Sequence, residues 1–287
     1  MDETKADKIM TGKMTWEQPV AWLRQQPDRQ ELVRACYLDD PLLEAAERFR
    51  RSAEWQAVQE LLPACPGAAL DIGAGRGISS YALAKLGWQV TALEPDHSEL
   101  VGTRAIQNLL KESGLPISVC EEFGENLPFE TGSFDLVYLR EVLHHAHLLE
   151  EMCKEVGRVL KPGGVFLATR EHVVSDGFQK ELFLQNHDLY KYFGGENAYR
   201  LEEYLTAISS SGLQIQHVFG PLDSMIHSYP REVEADESYR YYIRKRRLWN
   251  WRKRIVHLLP ESIARKIFPV LDSPGRLSSF LAVKLQG

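Results

Sequence analysis

Three closely spaced glycines, Gly73, Gly75 and Gly77, lie in the stretch DIGAGRG at residues 71–77, between a short apolar run and a helical pattern. Glycine lets the backbone turn tightly there and approach a ligand closely. Glu94 ends the next apolar run, 21 residues after Gly73. A carboxylate at that place accepts hydrogen bonds from both hydroxyls of a ribose. Together these features predict a site for an adenosine-containing ligand.

The main alternative for this turn is the pyrophosphate-binding turn of a dinucleotide site. The fingerprint of such a site is GxGxxG, whereas here Ile78 stands where the third glycine belongs and Gly77 comes one residue early. The observed pattern is DxGxGxG, with Asp71 ahead of the first glycine. The spacing therefore disfavours an NAD-dependent dehydrogenase.

Polar side chains gather after two later apolar runs, which are typical of the fourth and fifth strands of a parallel sheet. Ligands bind at the carboxyl ends of such strands. The polar residues at these two ends are Arg140, Glu141, His144, His145, Arg170, Glu171 and His172. The following stretch adds His187, Asp188, Glu196, Asn197 and Tyr199. Since histidine suits proton transfer near neutral pH, we predict His172 as a general base, with His144 and His187 as reserves.

Other roles for these side chains remain open. His144 is placed to cap the next helix, and Arg170 and Glu171 to form an ion pair. Because side chains alternate along a strand, Arg170 and His172 are expected on one face and Glu171 on the other. Glu171, His172 and His187 are able to converge on a metal ion, but nothing in their spacing requires it. No metal site is predicted.

The elements that position these residues alternate between strand and helix over residues 68–172. Short apolar runs bounded by glycine and proline predict five buried strands, and apolar residues at helical spacing predict the helices between them. Such alternation builds an α/β fold, a parallel sheet with helices on both faces. Two later apolar segments, LQIQHVF and SSFLAVKLQ, predict two more strands.

The chain before this sheet reads as helices over residues 14–62, and prolines and a glycine at 63–67 mark a boundary. We predict an N-terminal helical cap at 1–63 and a ligand-binding domain at 64–287, with insertions at 173–196 and 221–275. The cap and the insertions are expected to cover the carboxyl ends of the strands and to form the substrate pocket.

Four segments resemble the class I S-adenosylmethionine (SAM)-dependent methyltransferases, and the resemblance covers residues 65–172. They are LDIGAGRG, ALEPD, ENLPFETGSFDLVYLREVLHH and EVGRVLKPGGVFLATREH. The resemblance implies a Rossmann-like sheet of seven strands, mostly parallel, whose last strand inserts antiparallel beside the fifth. It also implies methyl transfer as the activity and SAM as the cofactor.

The resemblance further implies which residues bind SAM. Those that match the family motifs are Asp71, Gly73, Gly75 and Gly77 for the methionine part and Glu94 for the ribose. The acid that the family places near the adenine is missing, because Phe123 stands at that position and Glu122 lies one residue earlier. These two residues are the expected adenine contacts. Arg140 lies where the end of the fourth strand reaches the sulfonium side.

A basic segment at residues 241–267 stands out from an otherwise acidic chain. It carries nine lysines and arginines against one acid, Glu261, a net charge of +8, whereas the whole chain has a net charge of −6. The segment is interpreted as a solvated helical cap, as a contact with an anionic membrane or lipid-linked acceptor, or as a grip on an anionic soluble acceptor. The acidic remainder argues against nucleic acid as a partner.

The methyl acceptor is predicted to be a small molecule or a saccharide, methylated on oxygen. The segments PGRLSSFLAVK and YFGGENAY resemble methyltransferases of bacterial surface-glycan synthesis. The alternatives are a quinone or other lipid-like acceptor, or a non-catalytic SAM-binding subunit. The four scattered cysteines form no CxxC pair, and the first ten residues are polar. These features predict a cytoplasmic protein, at most peripheral to the inner face of the membrane.

Overall fold

The strands form where short apolar runs meet glycine-rich turns, as in Ala68–Ile72, which lies between Gly67 and Gly73 and is buried over four of its five residues. The computed structural model describes residues 17–187, 196–227, 251, 254, 258–260, 263 and 269–286. Its strands are β1 Ala68–Ile72, β2 Gln89–Leu93, β3 Ser118–Cys120, β4 Phe134–Arg140, β5 Leu160–Val174, β6 Tyr199–Arg200, β7 Leu213–Phe219 and β8 Arg276–Lys284.

The helices flank this sheet. They are α1 Glu17–Arg24, α2 Gln30–Ala35, α3 Leu42–Arg50, α4 Ala53–Gln59, α5 Ile78–Lys85, α6 Thr103–Ser113, α7 Leu149–Val159, α8 Gly177–Asn186 and α9 Leu201–Ser210. Single 3-10 turns lie at Pro27–Arg29, Leu143–His145, Met225–His227 and Pro269–Asp272. None of the helices in the described part of the chain is both long and apolar enough to cross a bilayer.

The strand order is β3-β2-β1-β4-β5-β8-β7. Strands β1 to β5 pair in parallel, and β8 inserts antiparallel between β5 and β7. The predicted fold class is therefore confirmed, including the antiparallel last strand beside the fifth. The structure adds one short strand, β6, which pairs with the end of β5 at Val173 and Val174.

Helices α3 and α4 share the hydrophobic core of the sheet, whereas α1 and α2 pack in a smaller cluster with Val101. Tyr37, Phe49 and Trp55 are fully buried in the core of the sheet, and the rings of Trp55 and Tyr138 of β4 lie 6.2 Å apart. Arg76 of the glycine-rich turn donates hydrogen bonds to the carbonyl groups of Tyr37, at 2.9 Å, and Asp39, at 2.7 Å. The chain from Tyr37 to Trp55 is thus packed against the glycine-rich turn and β4. The division of the chain at residue 63 stays a prediction.

The two predicted insertions are described only in part. Within 173–196, the structure shows the end of β5 and helix α8, and residues 188–195 lie outside the described residues. Most of 221–275, and with it most of the basic segment at 241–267, also lies outside them. Of the basic segment's described side chains, Trp251 is 61% exposed and Leu258 is 82% exposed.

Candidate active site

The glycine-rich turn has the left-handed backbone that its sequence predicts. The φ angles of Gly73, Gly75 and Gly77 are 64°, 55° and 81°, a region that side chains with a Cβ rarely enter. A Cβ at residue 73 would lie 2.5 Å from Cγ2 of Val142, whereas one at residue 75 would meet no atom closer than 4.0 Å. The turn is therefore closed by Val142 at its start and open at Gly75, where a ligand can approach the backbone.

Asp71 holds this turn to the helix that follows. Its buried carboxylate accepts hydrogen bonds from the hydroxyls of Ser79, at 2.7 Å, and Ser80, at 2.5 Å. Burial raises its pKa to about 6, against the effect of these hydrogen bonds. Asp71 therefore has a positioning role inside the protein, and its direct contact with the methionine part of SAM stays a prediction.

Glu94 lies at the end of β2, under the glycine-rich turn. Its carboxylate accepts hydrogen bonds from the backbone N–H groups of Gly75, at 2.7 Å, and Asp96, at 2.9 Å. Burial raises its pKa to about 7, although both amide hydrogen bonds oppose the shift. The acid, the left-handed turn and the open space at Gly75 fit an adenosyl group whose ribose hydroxyls donate to Glu94.

Phe123 and Glu122 lie in the loop after β3. The ring of Phe123 is 58% exposed, which leaves an aromatic surface on which an adenine can stack. Glu122 Oε1 accepts a hydrogen bond from the backbone N–H of Phe123 at 2.9 Å. Of the two expected adenine contacts, the phenylalanine therefore has the better-placed surface.

Arg140 belongs to a buried set of charges, the arginine network, formed by Glu54, Arg140, Glu141 and Arg170. Arg140 Nε lies 2.7 Å from Glu54 Oε1 and Arg140 Nη1 lies 3.2 Å from Glu141 Oε2. Arg170 Nε lies 2.5 Å from Glu141 Oε1, and its Nη1 lies 3.6 Å from Glu54 Oε2. Although burial opposes it, the charges of Arg140 and Arg170 hold the pKa of Glu141 well below its usual range.

This network gives Arg140 partners that the sequence did not predict. Its guanidinium is directed to Glu54 of α4 and to Glu141, and it stacks over the rings of Tyr37 and Phe49, each 5.5 Å from the centroid. Three hydrogen bonds thus hold its guanidinium inside the protein, and its contact with the cofactor stays a prediction. The sequence reasoning missed Glu54, although the helical spacing of Glu54, Ala57 and Val58 marks a carboxylate on the buried face of α4.

A second buried set, the histidine cluster, lies beside the first and consists of His144, Glu171, His172, His187 and Glu196. His144 connects its two acids, because Nδ1 lies 2.7 Å from Glu171 and Nε2 lies 3.1 Å from Glu196. Burial alone would lower the pKa of His144, but the two carboxylates raise it to about 10. His144 is therefore a charged imidazole with a carboxylate beside each ring nitrogen, which argues against its predicted reserve role as a base.

Glu171 is fully buried and accepts backbone hydrogen bonds as well as the one from the His144 ring. The N–H groups of Val142 and His144 donate to it at 3.2 Å and 3.0 Å. Its carboxylate thus fixes the turn after β4. This turn is the same one whose Val142 side chain packs over Gly73.

His172, the first choice as base, has one ring nitrogen committed and one directed into the cluster. Nδ1 lies 2.9 Å from the carbonyl oxygen of Gly275, so it carries the proton in the neutral ring, and Nε2 is left as an acceptor. Burial, and after it the charge of His144, lowers the pKa of His172 to about 4. The ring is neutral near pH 7, as a proton acceptor must be.

The expected alternation of side chains along β5 is wrong. The pairing of β5 with β8 shifts register between Ala168 and Glu171, and Arg170 has a φ of 62°. This bulge directs Arg170 to the arginine network, whereas Glu171 and His172 both contact His144. A bulge re-aims side chains in this way because one strand carries an extra residue.

The acid beside His172 and His187 is Glu196, whereas sequence reasoning grouped these two histidines with Glu171. Glu196 Oε2 lies 3.6 Å from His187 Nδ1, and its Oε1 lies 4.0 Å from His172 Nε2. Burial opposes its ionisation, but His144, with help from His145 and His187, holds the pKa of Glu196 at about 2. The structure thus brings all three predicted histidines together. Asp188 lies outside the described residues.

A family comparison agrees with this architecture: residues 70–168 match a family described as a methyltransferase domain. The chain carries a class I SAM-dependent methyltransferase domain. The resemblance seen in the sequence motifs is confirmed.

Curated relatives match over the same region. A ubiquinone biosynthesis O-methyltransferase of Xanthomonas oryzae pv. oryzae is 39% identical over 102 residues, which is 35% of this chain and 41% of the relative. The enzyme of the same name from Xanthomonas axonopodis pv. citri is 32% identical over 163 residues, covering 53% of this chain and 65% of the relative. The chain therefore spans less than two thirds of these relatives.

Solved structures match over more of the chain. The YcgJ protein from Bacillus subtilis covers 82% of this chain and 99% of its own, with a TM-score of 0.53 and 20% identity. A geranyl diphosphate C-methyltransferase from Streptomyces coelicolor A3(2) covers 87% of this chain and 84% of its own, with a TM-score of 0.58 and 15% identity. At such identities the likeness shows a shared fold.

Proposed function

We propose that this chain transfers a methyl group from SAM to a hydroxyl group of a small-molecule acceptor. The observation that carries the proposal is the position of Val142. Its side chain packs over Gly73 of the glycine-rich turn, and its backbone N–H donates to Glu171 of the histidine cluster at 3.2 Å. One residue thus connects a turn suited to SAM with a cluster suited to a hydroxyl group.

SAM supplies a methyl group on a positively charged sulfur, which is a good leaving group. The acceptor oxygen forms the new bond to the methyl carbon while the bond from that carbon to sulfur breaks, and the hydroxyl proton leaves the oxygen. Alignment of the oxygen with the methyl group supplies much of the rate enhancement in such a displacement. The protein's part is to hold both partners in line and to receive or ease the departure of the proton.

Named residues divide this work. Glu94 and the backbone of Gly73, Gly75 and Gly77 hold the donor, with Phe123 against the adenine. On the acceptor side, His172 activates the hydroxyl group, since its Nε2 is an acceptor directed into the cluster. His187 and Glu196 are the polar side chains beside His172.

The acceptor is in the first place a hydroxyl-bearing small molecule, including a saccharide. A quinone-type or other lipid-like acceptor is the second candidate, because the curated relatives quoted above are named for ubiquinone biosynthesis. The exposed Trp251 and Leu258, in a segment of net charge +8, support contact of residues 241–267 with a membrane surface that presents such an acceptor.

A transfer assay tests the function. The full chain is incubated with methyl-deuterated SAM and two panels of acceptors, saccharides and prenylated phenols, and products are read by mass spectrometry. A mass increase of one labelled methyl group in either panel supports the proposal and decides between the acceptors. Failure of the chain to bind SAM in calorimetry would overturn it.

A further inference from the structure

The cluster around Glu196 contains three side chains whose ligand atoms face one another. They are His172, His187 and Glu196, and one nitrogen or oxygen atom from each lies within 4.8 Å of the other two. We propose that these three residues bind a divalent first-row transition metal ion on the acceptor side of the site.

The separations are close to those that a bound ion requires. His187 Nδ1 lies 3.6 Å from Glu196 Oε2, and His172 Nε2 lies 4.0 Å from Glu196 Oε1. Ligand atoms at about 2.0–2.2 Å from one ion lie roughly 3–4 Å from each other. Rotations of the side chains that close the gaps by less than about 1 Å therefore bring all three atoms into coordination range.

Hydrogen bonds outside the trio already prepare its members as ligands. The Nδ1 proton of His172 is donated to the carbonyl oxygen of Gly275 at 2.9 Å, which leaves the Nε2 lone pair facing Glu196. Metal-binding histidines commonly have this arrangement, with the second nitrogen held by a backbone carbonyl or a carboxylate. Glu196 is oriented in a similar way by His144, whose Nε2 lies 3.1 Å from Oε1.

Two of the trio's atoms are buried without a hydrogen-bond partner among the described residues. They are His187 Nδ1 and Glu196 Oε1, for which the approach of His144 is an ion pair without hydrogen-bond geometry. Buried polar atoms are seldom left in this state. A single metal ion can bind both the nitrogen lone pair of His187 and the carboxylate oxygen of Glu196.

A neighbouring trio, His144, His145 and Glu196, has similar spacing. It is less suited to an ion, because His144 already directs Nδ1 to Glu171 and Nε2 to Glu196. Coordination by His144 would cost one of these contacts. In the trio that includes His172 and His187, neither histidine gives up a hydrogen bond, because His172 keeps its Nδ1 contact with Gly275 and His187 Nδ1 has no hydrogen-bond partner among the described residues.

The ligand set also selects the kind of ion. Two imidazoles and one carboxylate favour Zn²⁺, Co²⁺ or Fe²⁺ over Mg²⁺ and Ca²⁺, which prefer oxygen. Three protein ligands leave at least one coordination position open, and a hydroxyl oxygen bound there becomes more acidic. This catalytic consequence rests on the proposed function. With an ion bound, the Nε2 lone pair of His172 would hold the metal instead of accepting the hydroxyl proton, and that proton would leave to solvent.

The test is a metal titration of the full chain after dialysis against a chelator. Zn²⁺ binding is followed by calorimetry and Co²⁺ binding by visible absorption. We expect one ion per chain, and binding weakened roughly 10–100-fold or more in His187→Gln and in Glu196→Gln. His97→Gln is the matched control, because His97 forms an exposed pair with Glu121 at 2.7 Å outside the cluster. It should bind as the wild type does.

Two further measurements make the outcome decisive. X-ray absorption of the Zn²⁺-loaded wild type counts its nitrogen ligands without any substitution, and circular dichroism checks that the variants fold. Absence of tight binding overturns the proposal, as does loss of binding in His145→Gln with His187→Gln unaffected. SAM binding is measured separately on the metal-free chain, so that failure of the metal site and failure of the proposed function are distinguishable.

Discussion

The arginine network and the histidine cluster are two buried charge systems built from neighbouring residues, and they differ in how they carry charge. The arginine network pairs two guanidinium groups with two carboxylates, and guanidinium stays protonated at any ordinary pH. The histidine cluster sets three imidazoles against Glu171 and Glu196, so its charge depends on protons or a bound ion. We therefore expect the first system to have a structural role and, under the proposed function, the second to act on the acceptor.

Backbone strain marks the boundary between the two systems. Among the described residues, Tyr37, Glu141 and Arg170 are the non-glycine residues with a positive φ. Glu141 and Arg170 belong to the arginine network, and Tyr37 lies under the guanidinium of Arg140. Left-handed backbone costs about 1–3 kcal/mol per residue unless the surroundings enforce it. The ion pairs of the arginine network hold Arg170 in this conformation. Arg170 therefore contacts the arginine network, whereas its neighbour Glu171 contacts the histidine cluster.

The largest effect is expected from His172→Ala. If the histidine cluster performs the chemistry, this variant slows single-turnover methyl transfer by about 10²–10⁴-fold, the usual contribution of a group that moves a proton. SAM affinity should change little, because His172 lies on the acceptor side. His97→Ala, outside both networks, serves as the control. A near-wild-type rate in His172→Ala would show that the histidine cluster does not perform the chemistry through His172.

Glu54→Gln tests the structural side. It leaves Arg140 and Arg170 with one carboxylate between them in a buried place, and removal of one partner from a buried pair costs about 3–5 kcal/mol. Chemical denaturation should show that loss in the free energy of unfolding. Glu44→Gln, an exposed acid of the same helical region, should change it by less than about 0.5 kcal/mol. Equal stabilities of the two variants would remove the structural role of the network.

Arg140→Lys is a second test of the structural role of the arginine network. Lysine keeps the charge but lacks the planar fork that contacts Glu54 through Nε and Nη2. A loss of about 1.5–3 kcal/mol in the free energy of unfolding is expected, the range for one hydrogen bond to a charged group. SAM affinity, measured by calorimetry, should not change. A large loss of SAM affinity would instead support the predicted role of Arg140 in binding the cofactor.

The smallest effect concerns the donor side, which lies outside both networks. Burial raises the pKa of Glu94 to about 7, so below that pH the free protein carries a neutral acid that binds ribose hydroxyls less well. SAM affinity should therefore fall as pH drops through 7, by at most about tenfold per pH unit. Calorimetry of Glu94→Gln should show weaker binding without this dependence. Persistence of the dependence in that variant would locate its origin elsewhere.

Local patterns predicted the parts of the molecule that depend on neighbours in sequence. The left-handed turn at Gly73–Gly77 and the strand order follow from glycine spacing and from motifs of a known family. The side-chain orientation of Arg170 could not be predicted in this way. Alternation along β5 is broken by a bulge, and no residue type in the strand indicates that bulge. Glu54 was missed because its partner Arg140 lies 86 residues away. Glu171, and not Glu196, was grouped with His172 and His187, because the sequence does not reveal that backbone N–H groups donate hydrogen bonds to Glu171.

The contact of Val142 with both halves of the site has a thermodynamic consequence. Its side chain closes the turn at Gly73 while its N–H is held by Glu171, so a ligand that shifts the turn also shifts a residue held by the histidine cluster, which is the proposed acceptor site. The two ligands are then expected to change each other's affinity. Such coupling is reciprocal, and the factor by which donor favours acceptor must equal the factor by which acceptor favours donor.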